Sequence, residues 1–189
     1  MWSEDSMVEY LKNNLKPKRF NHSIGVRDTA VKLAEIYGED INKARISGLI
    51  HDCAKYVKGK KMIEIYKEHG NSVDEVEKNM PAILHGKVGC YVAKEVMGVE
   101  DKDILNAIAY HTTGRVNMSL LEKIIYIADY IEPLRDFPGV DNLRDIAFNE
   151  DLDKALILSF NNTIKYVIEG NQLLHKDTIE ARNYMLYNK

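Results

Sequence analysis

Apolar residues recur at helical spacing in segment after segment of this chain. Ile46, Leu49, Ile50 and Cys53 fall on one side of a helix. Comparable patterns mark eight further segments, near residues 5–15, 26–37, 60–69, 88–96, 104–109, 121–128, 151–169 and 177–187. No segment alternates apolar and polar residues between hairpin turn signals. The sequence therefore predicts an all-α fold.

The length and the prolines indicate one domain. With 189 residues and 45% apolar content, the chain is long enough to bury one full hydrophobic core. All four prolines fall where helical periodicity breaks, so they predict loops and not an interdomain linker: Pro17, Pro81, Pro133 and Pro138. We expect a single domain over residues 1–189, in which helices within 151–187 pack on a core of about residues 18–145.

The charge and the N-terminal stretch exclude several classes of partner. A net charge of -3 gives no overall positive field to hold a nucleic-acid backbone, and no apolar run is long enough to span a membrane. The acidic N-terminal residues do not resemble a signal peptide. Cys53 and Cys90 lie far apart in apolar helical patterns, which favours reduced, buried thiols. We therefore expect a cytoplasmic protein without nucleic-acid or membrane partners; its oligomeric state stays open.

Histidines accompany several of the apolar stripes. His22 precedes Val26 by four residues, and His85 precedes Val88 by three. His111 follows Ile108 by three. Residues three or four apart share a helix face, so these imidazoles are predicted to face the core.

Carboxylates are directed inward in the same way. Asp129 follows Ile125 by four residues, and Asp52 follows Gly48 by one helical turn. A buried carboxylate needs a partner, and the sequence offers few cations at these positions. A metal ion shared by imidazoles and carboxylates supplies that charge.

One inward histidine alone is more often a hydrogen-bonded core residue than a ligand, so a metal-free helical structural protein is the simplest alternative. The joint pattern favours a metal site, because six such residues are spread over five predicted helices: His22, His51, Asp52, His85, His111 and Asp129.

This order of residues resembles the signature of the HD-domain superfamily of metal-dependent phosphohydrolases, over roughly residues 18–145. Longer strings resemble the YqeK family of bacterial symmetrical bis(5'-nucleosyl)-tetraphosphatases. They are RFNHSIGV (19–26), LIHDCAKY (49–56), LHG (84–86), YHTTGR (110–115) and EKIIYIADYIEPLRDFPGV (122–140). The resemblance implies an iron-binding enzyme that cleaves diadenosine tetraphosphate to two ADP with a metal-activated water.

The same resemblance implies the metal ligands, which are His22, His51, Asp52 and Asp129. His85 and His111 would either complete a second metal position, with Asp52 bridging, or contact substrate phosphates. Mixed imidazole and carboxylate ligation suits a divalent transition metal, with iron implied by the resemblance and manganese or zinc as alternatives.

Further residues near these positions are candidates for catalysis and nucleotide binding. Besides Asp52, the catalytic candidate is Lys55, which could stabilise charge developing on phosphate, although a solvated helix-end lysine explains it equally well. His85 and His111 are joined as nucleotide-binding candidates by Arg19, Thr112, Thr113 and Arg135. Turn-forming threonines and surface ion pairs are their alternatives. The loop EPLRDFPGV could frame the adenosine or simply reverse the chain.

Residues outside the pattern receive structural roles. His69 is predicted at a helix C-terminus and His175 in a surface turn, while Tyr184, Leu186 and Tyr187 are assigned to core or interface packing.

Two functional alternatives remain. One is another HD phosphohydrolase, such as a nucleotidase, a dNTP triphosphohydrolase or a cyclic-dinucleotide phosphodiesterase. The other is a nucleotide-binding regulator without turnover. HTTGR and ADYIEP favour the tetraphosphatase, and all six positions carry competent ligands.

Overall fold

The structure, a computed structural model, describes residues 1–188. Within that range the chain forms eleven α-helices and one 3₁₀ helix (Pro81–Leu84), with no strand, which confirms the predicted all-α fold. The helices are α1 (Glu4–Asn14), α2 (Pro17–Tyr37), α3 (Ile41–Ile50), α4 (Lys60–Glu68), α5 (Glu75–Asn79), α6 (His85–Glu95), α7 (Lys102–Tyr110), α8 (Leu120–Ile131), α9 (Val140–Asn149), α10 (Leu152–Glu169) and α11 (Lys176–Tyr187).

Helices α2, α3, α7 and α8 pack on one another and form the centre of the protein. Helix α8 lies deepest, because apolar residues cover most of its circumference and are buried. Its start is fixed by a capping box, in which the Ser119 hydroxyl accepts the Glu122 N–H and the Glu122 carboxylate accepts the Ser119 N–H. The central helices therefore form a rigid base for the candidate site.

Two glycines allow helices to approach closely beside the candidate residues. A Cβ on Gly48 would lie 2.9 Å from Arg27 Cα, so the glycine brings α3 against α2. A Cβ on Gly86 would lie 2.8 Å from the carbonyl oxygens of Ile108 and Ala109, so it brings α6 against α7. These contacts place the end of each helix next to its neighbour.

The C-terminal helices pack on the same buried cluster. Phe160 of α10 is fully buried, and its ring lies 4.7 Å from that of Tyr126 in α8. Ala181 and Met185 of α11 belong to the cluster too. Helix α10 therefore forms a wall beside α8.

Three short or polar elements were not expected from the sequence: α5, the 3₁₀ helix and α9. Helix α5 has only five residues, too few for a periodic pattern. Helix α9 carries buried Val140, Leu143 and Ile146 at helical spacing. It begins directly after the proline-containing loop 132–139, and the prolines made the whole segment resemble a loop.

The placement of His175 in a surface turn is wrong. The residue is 3% exposed, and its Nδ1 accepts the Asp177 N–H over 3.2 Å, which caps α11. Because Nδ1 is an acceptor, a neutral ring carries its hydrogen on Nε2, which faces Asp74 at 3.5 Å and Glu77 at 3.8 Å. His175 thus joins α11 to α5 as a structural residue.

Other expectations outside the site have mixed outcomes. His69 follows the last residue of α4, as predicted. Leu186 and Tyr187 are 37% and 81% exposed, so core packing is excluded for both, and an interface role stays a prediction. Cys53 is buried, Cys90 is only partly buried, and both are free thiols. None of the helices in residues 1–188 has the length and apolar character needed to cross a membrane.

Substituting Gly86→Ala should lower the free energy of unfolding by about 1–3 kcal/mol, because the new methyl group meets two backbone oxygens that cannot rotate away. Gly89→Ala, one turn further along α6, is the matched control, since its nearest contact is an Ile108 side-chain carbon at 3.3 Å. Urea denaturation measures both. Equal losses for the two variants would contradict the close-approach argument.

Candidate metal centre and substrate cavity

Three of the candidate histidines lie at helix ends, where the same type of hydrogen bond holds each ring. In each, Nδ1–H donates to the main-chain carbonyl three residues earlier, over 2.6–2.7 Å. The pairs are His51 with Gly48, His85 with Ala82, and His111 with Ile108. Because a neutral imidazole carries one N–H, this bond leaves Nε2 with a free lone pair.

His22, in α2, is held by a carboxylate instead. Its Nδ1–H donates to Glu132 Oε1 over 2.9 Å, while Glu132 Oε2 accepts the Leu134 N–H at 2.7 Å. Glu132 follows α8 directly and is 1% exposed. A Cβ on Gly25 would lie 2.6 Å from Glu132 Oε2, so this glycine makes room for the carboxylate. In the neutral tautomer that makes this hydrogen bond, the lone pair of His22 is also on Nε2.

The four Nε2 atoms meet in two close pairs. His22 Nε2 lies 3.3 Å from His51 Nε2, and His85 Nε2 lies 3.0 Å from His111 Nε2. With each Nδ1 as the donor, no hydrogen lies between the paired nitrogens, so their lone pairs repel one another. A cation between them removes this repulsion, as imidazole ligation of a metal does.

Asp52 lies between the two pairs and is 1% exposed. Its Oδ1 is 3.1 Å from His85 Nε2, and its Oδ2 is 3.6 Å from His51 Nε2 and accepts a hydrogen bond from Arg19 at 2.8 Å. Oδ1 has no hydrogen-bond donor within residues 1–188. A buried carboxylate oxygen without a donor is costly unless a cation binds it.

Asp129 completes the cluster. Its Oδ1 lies 3.0 Å from His22 Nε2, and the Arg135 guanidinium donates to it and to its main-chain oxygen. Two sets of three ligand atoms each fit within 4.8 Å of one another, namely His22, His51 and Asp129, and His51, Asp52 and His111. The donor set and the orphaned Asp52 oxygen fit a bound transition metal.

The protonation states favour cation binding. Burial raises the pKa of Asp52 and of Asp129, but the neighbouring imidazoles, and at Asp129 also Arg135, outweigh it, so both pKa values lie well below the usual range. Burial lowers the pKa of His51 to about 3 and also lowers the pKa of His85. At neutral pH the cluster thus combines carboxylate anions with neutral imidazoles at His51 and His85, the forms that bind metals.

A cavity of about 700 Å³, named here the main cavity, opens over this cluster. Asp129, His85 and His111 reach it from the cluster. Four cationic side chains line it: Arg19, Lys55, Arg135 and Lys165. Four aromatic residues also line it: Tyr126, Tyr130, Phe137 and Tyr166. A cavity lined by both cations and aromatic rings suits a ligand that carries phosphates and a flat ring.

The structure also places the other candidates named from the sequence. Lys55 Nζ lies 2.9 Å from His85 Nε2, and burial lowers the pKa of this lysine. Thr112 Oγ1 lies 3.1 Å from His85 Nε2 and lines the main cavity. Thr113 is buried, and its hydroxyl donates to the Gly114 carbonyl, as its turn-forming alternative would have it; a nucleotide contact by Thr113 stays a prediction.

Sequence reasoning missed two parts of the site. Glu132 lies within the string ADYIEP, where a carboxylate before a proline indicates only a loop. The contact with His22 becomes visible only in the folded structure. Helix α10 contributes Asn162, Thr163 and Glu169 to the main cavity. From the sequence, polar residues on an amphipathic helix are expected to face solvent.

Comparison with known proteins identifies the family. The model of the HD domain family matches residues 19–134, the range that holds all six motif residues. The chain belongs to the HD domain family. This membership accounts for the shared order of histidines and aspartates and implies a divalent metal in the cluster.

Similar HD proteins cover nearly the whole chain. A symmetrical bis(5'-nucleosyl)-tetraphosphatase of Halalkalibacterium halodurans is 42% identical over 95% of each chain. The protein of the same name from Bacillus subtilis is 43% identical over 97% of this chain and 98% of its own. A crystal structure from Clostridium acetobutylicum, described as a predicted HD superfamily hydrolase involved in NAD metabolism, is 58% identical over 100% of both chains, with a TM-score of 0.97. The predicted family is confirmed.

Glu132→Gln should weaken metal binding by about 10–100-fold. Both Glu132 oxygens accept N–H groups, from His22 and Leu134, and an amide can replace only one of those acceptors. Metal titration with a competing chelator measures the change. Glu95→Gln is the control, because Glu95 bonds the ring of surface His69. Unchanged affinity in Glu132→Gln would show that Glu132 does not hold His22.

The free energy of unfolding of metal-free protein should fall as the pH drops from 6.5 toward 5. The folded pKa of His51, about 3, lies below its ordinary value of 6.5, so within this window the unfolded chain binds a proton that the folded chain does not. The loss from His51 alone is about 2 kcal/mol over this window.

Urea denaturation at several pH values measures this slope, and His51→Gln should flatten it. His69→Gln is the control and should not flatten the slope. The pKa of surface His69 is raised, so its contribution to the free energy of unfolding is present at low pH and is lost as the pH rises. A slope unchanged in His51→Gln would contradict the assignment.

Proposed function

We propose that the protein hydrolyses diadenosine tetraphosphate symmetrically to two ADP at the metal cluster. The observation that carries the proposal is the convergence of four Nε2 lone pairs on the carboxylates of Asp52 and Asp129 beneath a cavity lined by cations and aromatic rings. The relatives named symmetrical tetraphosphatases align with nearly the whole chain, which supports the same substrate for this protein.

We assign the primary ligands to His22, His51, Asp52 and Asp129. The mixed nitrogen and oxygen set suits a divalent transition metal, and we propose iron, with manganese or zinc as substitutes. When bound, the metal would make a water nucleophilic near neutral pH and offset charge on the attacked phosphoryl group.

We assign His85 and His111 to a second cation position that shares Asp52. Their Nδ1–H groups donate to backbone carbonyls, so each Nε2 is an acceptor; that of His85 accepts from the Lys55 ammonium over 2.9 Å, which a bound metal would displace. A lone pair repels a phosphate oxygen and attracts a cation, which favours the metal role over direct phosphate binding. The free Oδ1 of Asp52 faces this pair and supports the assignment.

Side chains of the main cavity would hold the polyphosphate. Arg19 and Arg135 already fix Asp52 and Asp129, and both line the cavity, so phosphate oxygens can bind their remaining donors. Lys55, which also lines the cavity, would stabilise the charge that develops on the phosphate. Thr112 offers a hydroxyl donor beside it.

The reaction breaks one phosphoric anhydride bond. The water oxygen bonds to one β-phosphorus, the bond from that phosphorus to the central bridging oxygen breaks, and the departing ADP keeps that oxygen and its electron pair. The proton lost by water is released, and both products are ADP. The free thiols of Cys53 and Cys90 suit a reducing compartment, and we propose the cytoplasm.

Metal-loaded protein incubated with diadenosine tetraphosphate should yield ADP as the only nucleotide product. Chromatography of the products measures this, and ATP together with AMP, or no cleavage, would reject the proposal. Asp52→Asn should lower kcat by about 10³-fold or more, because the buried carboxylate whose two oxygens face the two imidazole pairs loses its charge. Turnover retained with only nucleotide binding lost would favour a regulator instead. Glu95→Gln at the surface is the control.

A further inference from the structure

A second cavity, of about 410 Å³, lies across Arg19, Arg135 and Phe137 from the main cavity, because these three residues line both. We name it the side cavity. His22 and Glu132 form its inner wall, so it borders the metal cluster from the α2 side. The cluster therefore has a cavity on each of two sides, and the proposed mechanism uses only the larger one.

The side cavity carries excess positive charge. Lys16 and Lys18, at the start of α2, line it together with the two arginines. Both lysines are exposed and make no ion pair within residues 1–188. Of its two carboxylates, Glu132 already accepts two N–H groups. Unpaired cations beside a cavity suit a phosphate-containing ligand.

The side cavity also has an apolar wall. Leu134, on the loop after α8, lines it and is 57% exposed, and Phe137 lies beside it. An exposed leucine next to two unpaired lysines gives the combination that a nucleotide needs, with a surface for the base or ribose and cations for the phosphates.

We propose that the side cavity binds the second nucleoside diphosphate half of the substrate, and that Lys16 and Lys18 are its phosphate-binding residues. The proposal rests on the proposed function. Symmetrical cleavage places the broken bond at the middle of the substrate, so two chemically identical ADP halves must extend from the cluster in different directions. The main cavity accepts the half that is attacked, and the side cavity accepts the departing half.

The test measures ADP binding and turnover in manganese-loaded protein. Equilibrium dialysis should find two ADP bound per chain in the wild-type protein and one in the double variant Lys16→Ala/Lys18→Ala. The KM for diadenosine tetraphosphate should rise about 100-fold in that variant, since it removes two charged contacts and each is worth about a factor of ten. Lys94→Ala, an exposed lysine on α6 that lines neither cavity, is the matched control and should match the wild type in both measurements.

The outcomes separate the two proposals. A single ADP bound to the wild-type chain, or an unchanged KM in the double variant, would overturn the side-cavity proposal. Two bound ADP molecules without any cleavage of the dinucleotide would overturn the proposed function and leave the second binding site standing. Because both lysines are exposed, the thermal unfolding of the double variant should match that of the wild type. If the double variant loses much stability, the single variant Lys18→Ala replaces it. We then expect weaker binding of the second ADP and a smaller rise in KM.

Discussion

The repulsion among four imidazole lone pairs and the carboxylates of Asp52 and Asp129 is the constraint on which the rest of the structure depends. Arg19 and Arg135 each offset one carboxylate, but the converging lone pairs stay unfavourable without a further cation, so the protein must hold the rings together by other contacts until a metal binds. Helix ends serve this purpose. The last carbonyls of a helix have no partner within it, and those of α3 and α7 accept the Nδ1–H of His51 and His111. One hydrogen bond thus satisfies an orphan carbonyl and selects the tautomer that can bind metal.

Close helix packing brings the rings together. Without side chains at Gly48 and Gly86, α3 can touch α2 and α6 can touch α7. The His22–His51 and His85–His111 pairs lie at those two contacts. The geometry of the site therefore depends on this close packing, because a methyl group at either glycine would separate a pair of ligands.

The sequence predicts the parts of this arrangement that depend on local periodicity. Apolar stripes locate the long helices, and the spacing of His22, His85, His111 and Asp129 within them directs these residues inward. Residues whose role depends on a distant partner escape such reasoning. Glu132 is 110 positions from His22, and nothing near it in the sequence indicates that contact. His175 fails for the same reason, because its burial depends on Asp74 and Glu77 about a hundred residues earlier.

The net charge of the chain does not predict the local charge around the site. A net charge of -3 describes the chain as a whole and gives no reason to expect a polyanionic ligand. The fold nevertheless gathers Arg19, Lys55 and Arg135 around the cluster. Local potential near a cleft follows the nearest charges more than the total, because solvent and salt screen the distant ones within about 10 Å.

The two arginines connect the metal cluster to both cavities. Arg19 holds Asp52 and Arg135 holds Asp129, and each guanidinium also borders the main and the side cavity. A phosphate that binds either guanidinium therefore contacts a cation that is already paired with a ligand carboxylate. Substrate position and ligand geometry are coupled through these two side chains. Lysine could not replace them without loss, because its single ammonium lacks the planar set of donors that allows one side chain to hold a carboxylate and a phosphate together.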